Sequence, residues 1–312
     1  MKLPWLSPIV GLGIITTLLL SLAGYLGRLH FLLDLTAHFK VQYLLAGLIA
    51  LAFFSLTRQT WGIGLSLACV LLNGLVVFPW YLPDFQPTSA SLPLRVMLAN
   101  VNVQNRSYRA MIDLIRDEQP DVVAIVETNQ DWLQAMKAVS DRLPYSVQSP
   151  RAAGFGIALF SKFPLEAQEV NLFESPKDFH LVAKMERDSQ PLTIVALHPP
   201  PPIRPELFAQ RNRELEAIAA YMQTLDTPIV AIGDLNITMW SPNYAPLVNQ
   251  TSLKNVRRGF GILPSWHSGY LVKIPIDHGL VSSGIQVLQT RIGRNISSDH
   301  LPVVIDLGLP TE

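Results

Sequence analysis

Residues 94–126 read LRVMLANVNVQNRSYRAMIDLIRDEQPDVVAIV, and three successive patterns within them decide the fold class. Leu94 to Val103 is an apolar run of strand length. Ser107 then stands where a helix can be capped, with Met111, Leu114 and Ile115 on one face of that helix, until Pro120 stops it. Val122 to Val126 is a second apolar run, too short for a helix and rich in β-branched residues. Strand, helix and strand in this order predict a βαβ opening, and with it an α/β domain.

The alternation continues toward the C-terminus. A second helix is predicted from Asp131 to Val139. Apolar runs at Tyr145 to Val147, Phe155 to Phe160, Leu181 to Met185 and Leu192 to Leu197 follow, several with only short turns between them, so they are expected to pair antiparallel. A helix from Pro205 to about Thr224 presents Phe208, Leu215, Ile218 and Met222 on one face. Ile229 to Ile232, Ile274 to Val281, Ile285 to Gln289 and Pro302 to Leu307 read as the remaining strands. Mixed sheets with helices outside them suggest a layered α/β sandwich. The roughly 220 residues involved show no internal repeat, which favours one large unit over several modules.

Toward the N-terminus the character changes. The chain of 312 residues is 49% hydrophobic and only 15% charged, with a mean hydropathy of +0.27; this is too apolar for an ordinary soluble protein. The excess lies at one end. No residue is charged from Leu3 to Gly27, from Val41 to Thr57 or from Gln59 to Pro83, and each stretch approaches the length that crosses a hydrocarbon core of ~30 Å as helix. Three transmembrane helices are therefore expected. A cleaved signal peptide is the alternative for the first, but its apolar run is longer than a usual signal core and two further spans follow it. The predicted organisation is a three-helix membrane anchor over residues 1–83, a linker over 84–93 and a catalytic domain over 94–312. Three prolines between Leu82 and Pro93 mark the linker.

Charge and cysteine usage narrow the classes. Lys2 and Arg58 would mark one face of the membrane, Arg28 and Lys40 the other with the domain, so the positive-inside rule nearly ties. The very short second loop holding Arg58 suits the inside, and the domain is accordingly expected at the external face of a cell membrane. The whole chain has 24 basic and 24 acidic residues; setting aside Lys2, Arg28, Lys40, Arg58 and Asp34 leaves 20 basic against 23 acidic after the last span. A domain that grips duplex DNA through many phosphates would carry a basic excess. The single cysteine, Cys69, excludes an intrachain disulfide.

Chemistry-bearing residues gather at predicted strand ends: Asn100, Glu127, His198, Asp234, Asn236, Asp277, Asp299 and His300. Two short polar motifs are attached to apolar runs. Gly233-Asp234-Leu235-Asn236 follows Pro228 to Ile232, and Ser298-Asp299-His300 precedes Leu301 to Leu307. Unpaired polar groups in a buried strand cost several kcal/mol, so these residues are expected to face a shared cleft. Asp234 and Asn236, two apart on an extended segment, would point to one side; an Asx-turn after the strand is the structural alternative.

Six segments, LANVNVQN (98–105), PDVVAIVETN (120–129), TIVALHPPPP (193–202), VAIGDLN (230–236), IPIDHGLVS (274–282) and SSDHLPVV (297–304), occur in the order and at the approximate spacing of the motifs of the endonuclease/exonuclease/phosphatase superfamily. The domain resembles that superfamily of metal-dependent phosphodiesterases over about Leu92 to Leu309. One such motif alone would be weak, whereas six in order are specific. The resemblance implies a four-layer α/β/β/α sandwich of two mixed sheets.

It also implies roles. Glu127 would be the central ligand of Mg²⁺, or alternatively Mn²⁺, with Asn100 beside it and Asp299 near the metal or its water. Asn102 stands where many relatives have Asp, which puts a second metal in doubt. Asp234 would orient and deprotonate the attacking water, and Asn236 would hold a phosphate oxygen. Asp277 would fix His300, which contacts the scissile phosphate. His198 would protonate the leaving oxygen, as in DNase I-like and sphingomyelinase-like relatives. The bland readings are a cap or surface acid for Glu127, a loop-bonding amide for Asn100 and a structural histidine for His300.

Arg151, Arg211, Arg257, Arg258, Arg291 and Arg294 are candidate phosphate binders, though surface arginines are mostly solvated. Trp240, Trp266 and His267 are candidates for the cleft or for its rim, and Pro199 to Pro202 for a rigid spacer. The expected activity is in-line hydrolysis of a phosphodiester, nuclease-like, with a sphingomyelinase-like lipid head-group phosphodiesterase as the alternative. The expected partners are the membrane and that substrate, with no obligate protein partner. Inositol-polyphosphate phosphatase relatives carry a Cys-Asp-Arg element that IPIDHGL lacks. A non-catalytic membrane scaffold is a third reading, against which stands the full set of motif residues.

Overall fold

The computed structural model describes residues 6–83, 91–149, 156–171, 179–267 and 269–310. The N-terminal part is helical: α1 (Leu6–Ala23), α2 (Phe31–Ala37), α3 (Lys40–Leu56) and α4 (Thr60–Val77). Two helical stretches, Leu6–Leu26 and Thr60–Tyr81, are long and apolar enough to cross a membrane. The short α2 meets α3 at 63°, and the pair makes a third candidate when counted as one broken span. The bundle packs on Ile14, Ala50, Phe54 and Cys69. Its interior polar groups pair with one another, with Ser21 Oγ donating to Asn73 Oδ1 at 2.7 Å and Lys40 Nζ to the Ser21 carbonyl at 2.8 Å.

The rest of the chain forms two six-stranded sheets. The first contains β1 (Ser91–Asn100), β2 (Val122–Thr128), β3 (Tyr145–Ser149), β4 (Gly156–Ser161), β11 (Gln286–Ile292) and β12 (Val303–Pro310), in the order β11-β12-β1-β2-β4-β3. The second contains β5 (Glu166–Asn171), β6 (Phe179–Arg187), β7 (Gln190–Leu197), β8 (Ile229–Asp234), β9 (Lys254–Asn255) and β10 (Asp277–Val281), in the order β5-β6-β7-β8-β10-β9. Each sheet has one parallel pair at its centre, β1 with β2 and β7 with β8. Those pairs need long crossovers, and helices supply them: α5 (Tyr108–Glu118) in the first sheet and α7 (Pro205–Met222) in the second. All the other pairings are antiparallel.

Strand alternation explains the layers. Along β1, Leu94, Val96 and Leu98 point between the sheets, with Val122, Ala124, Ile194, Ile232 and Ile305 among their neighbours. Met97 and Ala99 point the other way, against Met111, Leu114 and Ile115 of α5 and Trp132 of α6 (Gln130–Met136). On the outer face of the second sheet, Val195, Leu197 and Ala231 meet Leu215, Ile218 and Met222 of α7. The fold is the expected four-layer α/β/β/α sandwich. One difference is that the apolar N-terminal helices join this outer layer, since Leu44 and Val77 are buried in the same cluster.

Local details depart from the sequence reading in physical ways. Ser107 occupies the N-cap position of α5 but makes no capping hydrogen bond. Asn129 caps α6 by accepting from Trp132 N at 3.0 Å. The strand expected to start at Ile274 is interrupted: Pro275 has no N–H to give a ladder, so Ile274 forms a lone bridge to Trp266 and β10 begins at Asp277. The β1 strand starts at Ser91, inside the expected linker, because Ser91 to Pro93 pair with Gly308 to Pro310 of β12. Linker residues 84–90, Arg151 and Phe155 lie outside the described residues.

Candidate active site

All the motif residues arrive at one end of the sandwich. Asn100, Glu127, His198 and Asp234 sit at or just beyond the C-terminal ends of β1, β2, β7 and β8. Asp277 opens β10, and Asp299 and His300 precede β12. These two strands run antiparallel to their neighbours, so their starts lie beside the others' ends. Asn102, Glu127, Asn236, His267 and Ser297, all at this end, take left-handed backbone angles, with φ between 50° and 73°. Such strain costs about 1–3 kcal/mol per residue and is typical of sites held by their surroundings. At Glu127 it coincides with a register shift between Val126 and Thr128 against β4, which turns the carboxylate out of the sheet.

Asn100, 1% exposed, ties the acids together. Its amide nitrogen donates to Glu127 Oε1 at 2.8 Å and to Asp234 Oδ2 at 3.1 Å, and its oxygen accepts from Asn102 N at 3.0 Å. His300 Nδ1 donates to Asp277 Oδ2 at 2.9 Å, which leaves Nε2 facing Asp234 Oδ2 at 3.6 Å. His198 Nε2 lies 3.8 Å from Glu127 Oε1 and 3.9 Å from Asp234 Oδ2. Asp299 stands to one side, accepting from Asn102 Nδ2 at 2.8 Å and from Trp266 Nε1 at 3.3 Å.

The segment after β8 is not extended. Asn236 is left-handed, and its backbone N–H donates to Asp234 Oδ1 at 2.9 Å, while its side-chain amide donates to the Pro199 carbonyl at 2.9 Å. It is thus an Asx-type turn and a cleft residue at once. The turn aims Asn236 where strand alternation alone was expected to aim it.

Burial sets the protonation states. It raises Asp234, and the neighbouring Asp277 adds to it, so this carboxyl is pushed up to about 7. Burial alone would lower His300, but the Asp277 and Asp234 carboxylates outweigh it and hold the imidazole at about 10. Burial would raise Asp277, yet His300 and Ser265 keep it below the ordinary carboxylate value. His198 is lowered, chiefly by burial. At neutral pH His300 is therefore an imidazolium, with one N–H on Asp277 and the other turned to the cleft.

The cleft has a volume of about 450 Å³. It is lined by the cluster of Glu127, His198, Asp234, Asn236, Asp299 and His300, with Trp266, and by Leu35, Pro200 to Ile203, Leu207, Ile274 and Ile276. The triproline run thus belongs to a wall, beyond being a spacer. Leu35 and His38, which come from the N-terminal helical segment, carry no signal in the sequence, because nothing local shows that this segment reaches the site. Trp240 instead donates to the Val76 carbonyl at 3.1 Å, against the anchor, and His267 stacks on Tyr270.

None of the described candidate arginines lines the cleft. Arg211 pairs with Asp34, Arg291 with Glu118 and Arg294 with Asp117. Arg257 is buried and donates to the Ile262 carbonyl, and Arg258 borders a separate groove. A larger groove of about 770 Å³ at the opposite end of the strands gathers Arg95, Lys162 and Arg187; these pair with Asp306, Asp121 and Asp188, and no motif residue is there.

The donor set fits a divalent cation. Glu127, His198 and Asp234 place their ligand atoms within 4.8 Å of one another, and among the described lining residues there is no Lys or Arg to balance the carboxylates. The two carboxylates, Glu127 and Asp234, are hard oxygen ligands of the kind that suits Mg²⁺. Ligation through Asn100 requires its amide to turn over, which releases Asn102 N.

The comparisons agree with this geometry. Chains from solved structures share the fold at low identity. D. rerio TDP2 humanized by 14 mutations is 16% identical, with a TM-score of 0.58, over 69% of this chain and 98% of that one. An endonuclease/exonuclease/phosphatase from Beutenbergia cavernae is 19% identical, with a TM-score of 0.59, over 70% and 72%. One from Bacteroides vulgatus is 18% identical, with a TM-score of 0.58, over 70% and 100%. No match was found among curated protein sequences. The sequence profile of the Endonuclease/Exonuclease/phosphatase family matches residues 97–300, which begins in β1 and ends on His300, so the chain belongs to that family and is a phosphoric ester hydrolase.

Proposed function

We propose that this chain is a membrane-anchored, Mg²⁺-dependent phosphodiesterase, able to use Mn²⁺, whose substrate is the head group of a membrane lipid. The observation that carries the substrate class is the mixed lining of the cleft. Acids and imidazoles share it with the apolar side chains of Leu35, Ile203, Leu207, Ile274 and Ile276. A nucleic-acid strand brings a row of phosphates that cationic side chains would track, and among the described lining residues there is none. A lipid brings one phosphodiester and an apolar body, which suits this lining.

In this reading Asp234, with a carboxyl near neutrality, takes a proton from water as the water oxygen attacks phosphorus. The bond from phosphorus to the leaving oxygen breaks in line with that attack. His300, already protonated and fixed by Asp277, donates to a phosphate oxygen through Nε2, and Asn236 holds another. The leaving oxygen takes its proton from His300 or from His198; burial lowers the His198 pKa, so at neutral pH it is less often protonated than His300. Bound at Glu127 and Asn100, with Asp299 close by, the cation would neutralise charge developing on the phosphoryl group. The domain is placed at the external face of a cell membrane, since the tight turn carrying Arg58 suits the inside.

The test is the full chain in liposomes with Mg²⁺, assayed in parallel on phospholipid vesicles, plasmid DNA and bis(p-nitrophenyl) phosphate. Head-group release that EDTA abolishes and Mg²⁺ restores is expected, with the plasmid intact. Plasmid nicking with untouched lipid would overturn the lipid assignment in favour of a nuclease. Full turnover in EDTA would remove the metal assignment.

A further inference from the structure

Asp34 is the only acidic residue among the first 83, and it is fully buried. Within its own segment it lies 3.8 Å from His38 Nε2, whereas its hydrogen-bond donors come from the sandwich. Arg211 Nη2 donates to Asp34 Oδ2 at 2.8 Å, and Ser241 Oγ and Asn243 Nδ2 donate to Oδ1 at 2.5 and 3.0 Å. Arg211, also fully buried, reaches onward with its other arm: Nη1 donates to the Asn236 carbonyl at 3.0 Å. The Asn236 N–H in turn donates to Asp234 Oδ1. Hydrogen bonds thus link a carboxylate of the N-terminal segment, through one guanidinium, to Asn236, the residue whose own N–H orients the carboxylate at the centre of the site.

The same loop is held elsewhere by the anchor. His38 Nδ1 lies 3.0 Å from Thr238 Oγ1, Arg28 Nε donates to the Pro242 carbonyl at 3.1 Å, and Trp240 Nε1 donates to the Val76 carbonyl. We propose that the segment carrying Asp34 is part of the catalytic unit, and that Asp34 is a positioning residue acting through Arg211 on the turn that bears Asp234 and Asn236. Two features favour this over simple adhesion. The planar guanidinium divides its donors among Asp34, the Asn212 amide oxygen and the Asn236 carbonyl, a bridge from Asp34 to Asn236 that a point charge cannot make. And a buried arginine without its carboxylate would be an uncompensated charge beside a left-handed, strained turn. Removing the carboxylate of this segment therefore displaces the base, which a mere tether would not do.

The catalytic half of this inference rests on the function proposed above, and the experiment separates the two. Full-length Asp34→Asn, Arg211→Lys and Asn73→Ala chains are compared with wild type in liposomes. Arg211→Lys keeps the charge opposite Asp34 and loses the second arm. Asn73→Ala breaks the Ser21 contact inside the bundle, so it reports on loss of anchor stability alone. Hydrogen exchange over residues 234–243 is expected to rise in the first two variants and to stay at the wild-type level in the third. On bis(p-nitrophenyl) phosphate with Mg²⁺, kcat is expected to fall by about 10-fold or more in the first two, with KM within about twofold, since small misplacements of a reacting group carry such costs. Unchanged exchange in both Asp34→Asn and Arg211→Lys would overturn the inference. So would raised exchange with wild-type kcat, or an equal loss of kcat in Asn73→Ala. If the wild-type chain turns over none of the substrates, the proposed function fails, and the exchange comparison still decides whether Asp34 holds the turn. Should Asp34→Asn fail to fold, Arg211→Lys carries both readouts.

Discussion

Asp234 has the most contacts of functional consequence, and its substitution is the most direct test at the scale of single residues. Asparagine in its place still accepts from Asn236 N, so the turn survives while the proton acceptor is lost. Asp234→Asn and His300→Ala are each expected to lower kcat by ~10² or more with melting curves close to wild type; near-wild-type turnover in either would remove that residue from the mechanism. A second residue gives a pH dependence. His278 is buried with Nδ1 3.0 Å from Asn255 Nδ2 and Nε2 2.8 Å from the Ile237 carbonyl, a pattern that only the neutral ring protonated on Nε2 satisfies. Burial, with Arg257 nearby, lowers its pKa to about 3. Between about 6.5 and 3 the unfolded chain therefore binds a proton that the folded chain refuses, so stability is full above pH 6.5 and falls as pH drops, by up to about 1.4 kcal/mol per unit. His278→Gln is expected to flatten the fall of melting temperature between pH 6.5 and 4, and equal slopes would refute the assignment. The residues proposed to do the chemistry were legible because each borders an apolar strand in a short motif. Asp34 and Arg211 were not: they are 177 positions apart, and neither has a local pattern that marks it.

At the scale of elements, the parallel pair of β7 with β8 is the part of the sheet that admits least change. Gly233 passes so close to β7 that a Cβ would overlap the Leu197 carbonyl oxygen. Gly233→Ala must push the two strands apart at the point where one delivers His198 and the other Asp234. The expected outcome is a loss of both activity and stability, read by turnover and by thermal melting, whereas Gly284→Ala, where nothing lies within 4 Å, should leave both near wild type; a tolerated Gly233→Ala would show that the strands can separate at no cost. The strong elements were readable because apolar runs of strand length and one-faced helices leave periodic signals. The weak ones were not. β5, EAQEVN, lies at a sheet edge with little apolar content, and β9 is two residues long. α8 (Ala245–Thr251) begins next to Pro246 and spans only seven residues. The left-handed turn at Asn236 was also out of reach, because an Asx-turn and an extended segment share one sequence, GDLN.

For the molecule as a whole, the question is whether the linker or the contact surface joins the two parts. The surface is extensive in kind: Leu44 and Val77 are buried with Leu215 and Leu235 in one apolar cluster, the Trp80 carbonyl accepts from both Gly259 and Gly261, Gln42 Nε2 donates to the Lys273 carbonyl at 3.0 Å, and the Asp34–Arg211 pair lies at its centre. Hydropathy revealed the spans but could not reveal this docking, since an apolar helix surface reads the same whether it meets lipid or protein. If the surface holds the parts together, the covalent connection through residues 84–90 is dispensable once the protein has folded. A protease site inserted there gives the test. After complete cleavage in liposomes, the sandwich is expected to sediment with the membrane and to keep its turnover on bis(p-nitrophenyl) phosphate, with release only in denaturant. A pure tether predicts the opposite, a domain freed into the supernatant by cleavage. Release with full activity would mean that the sandwich is complete without the anchor, whereas release with lost activity would mean that the contact is weak yet the site still depends on it.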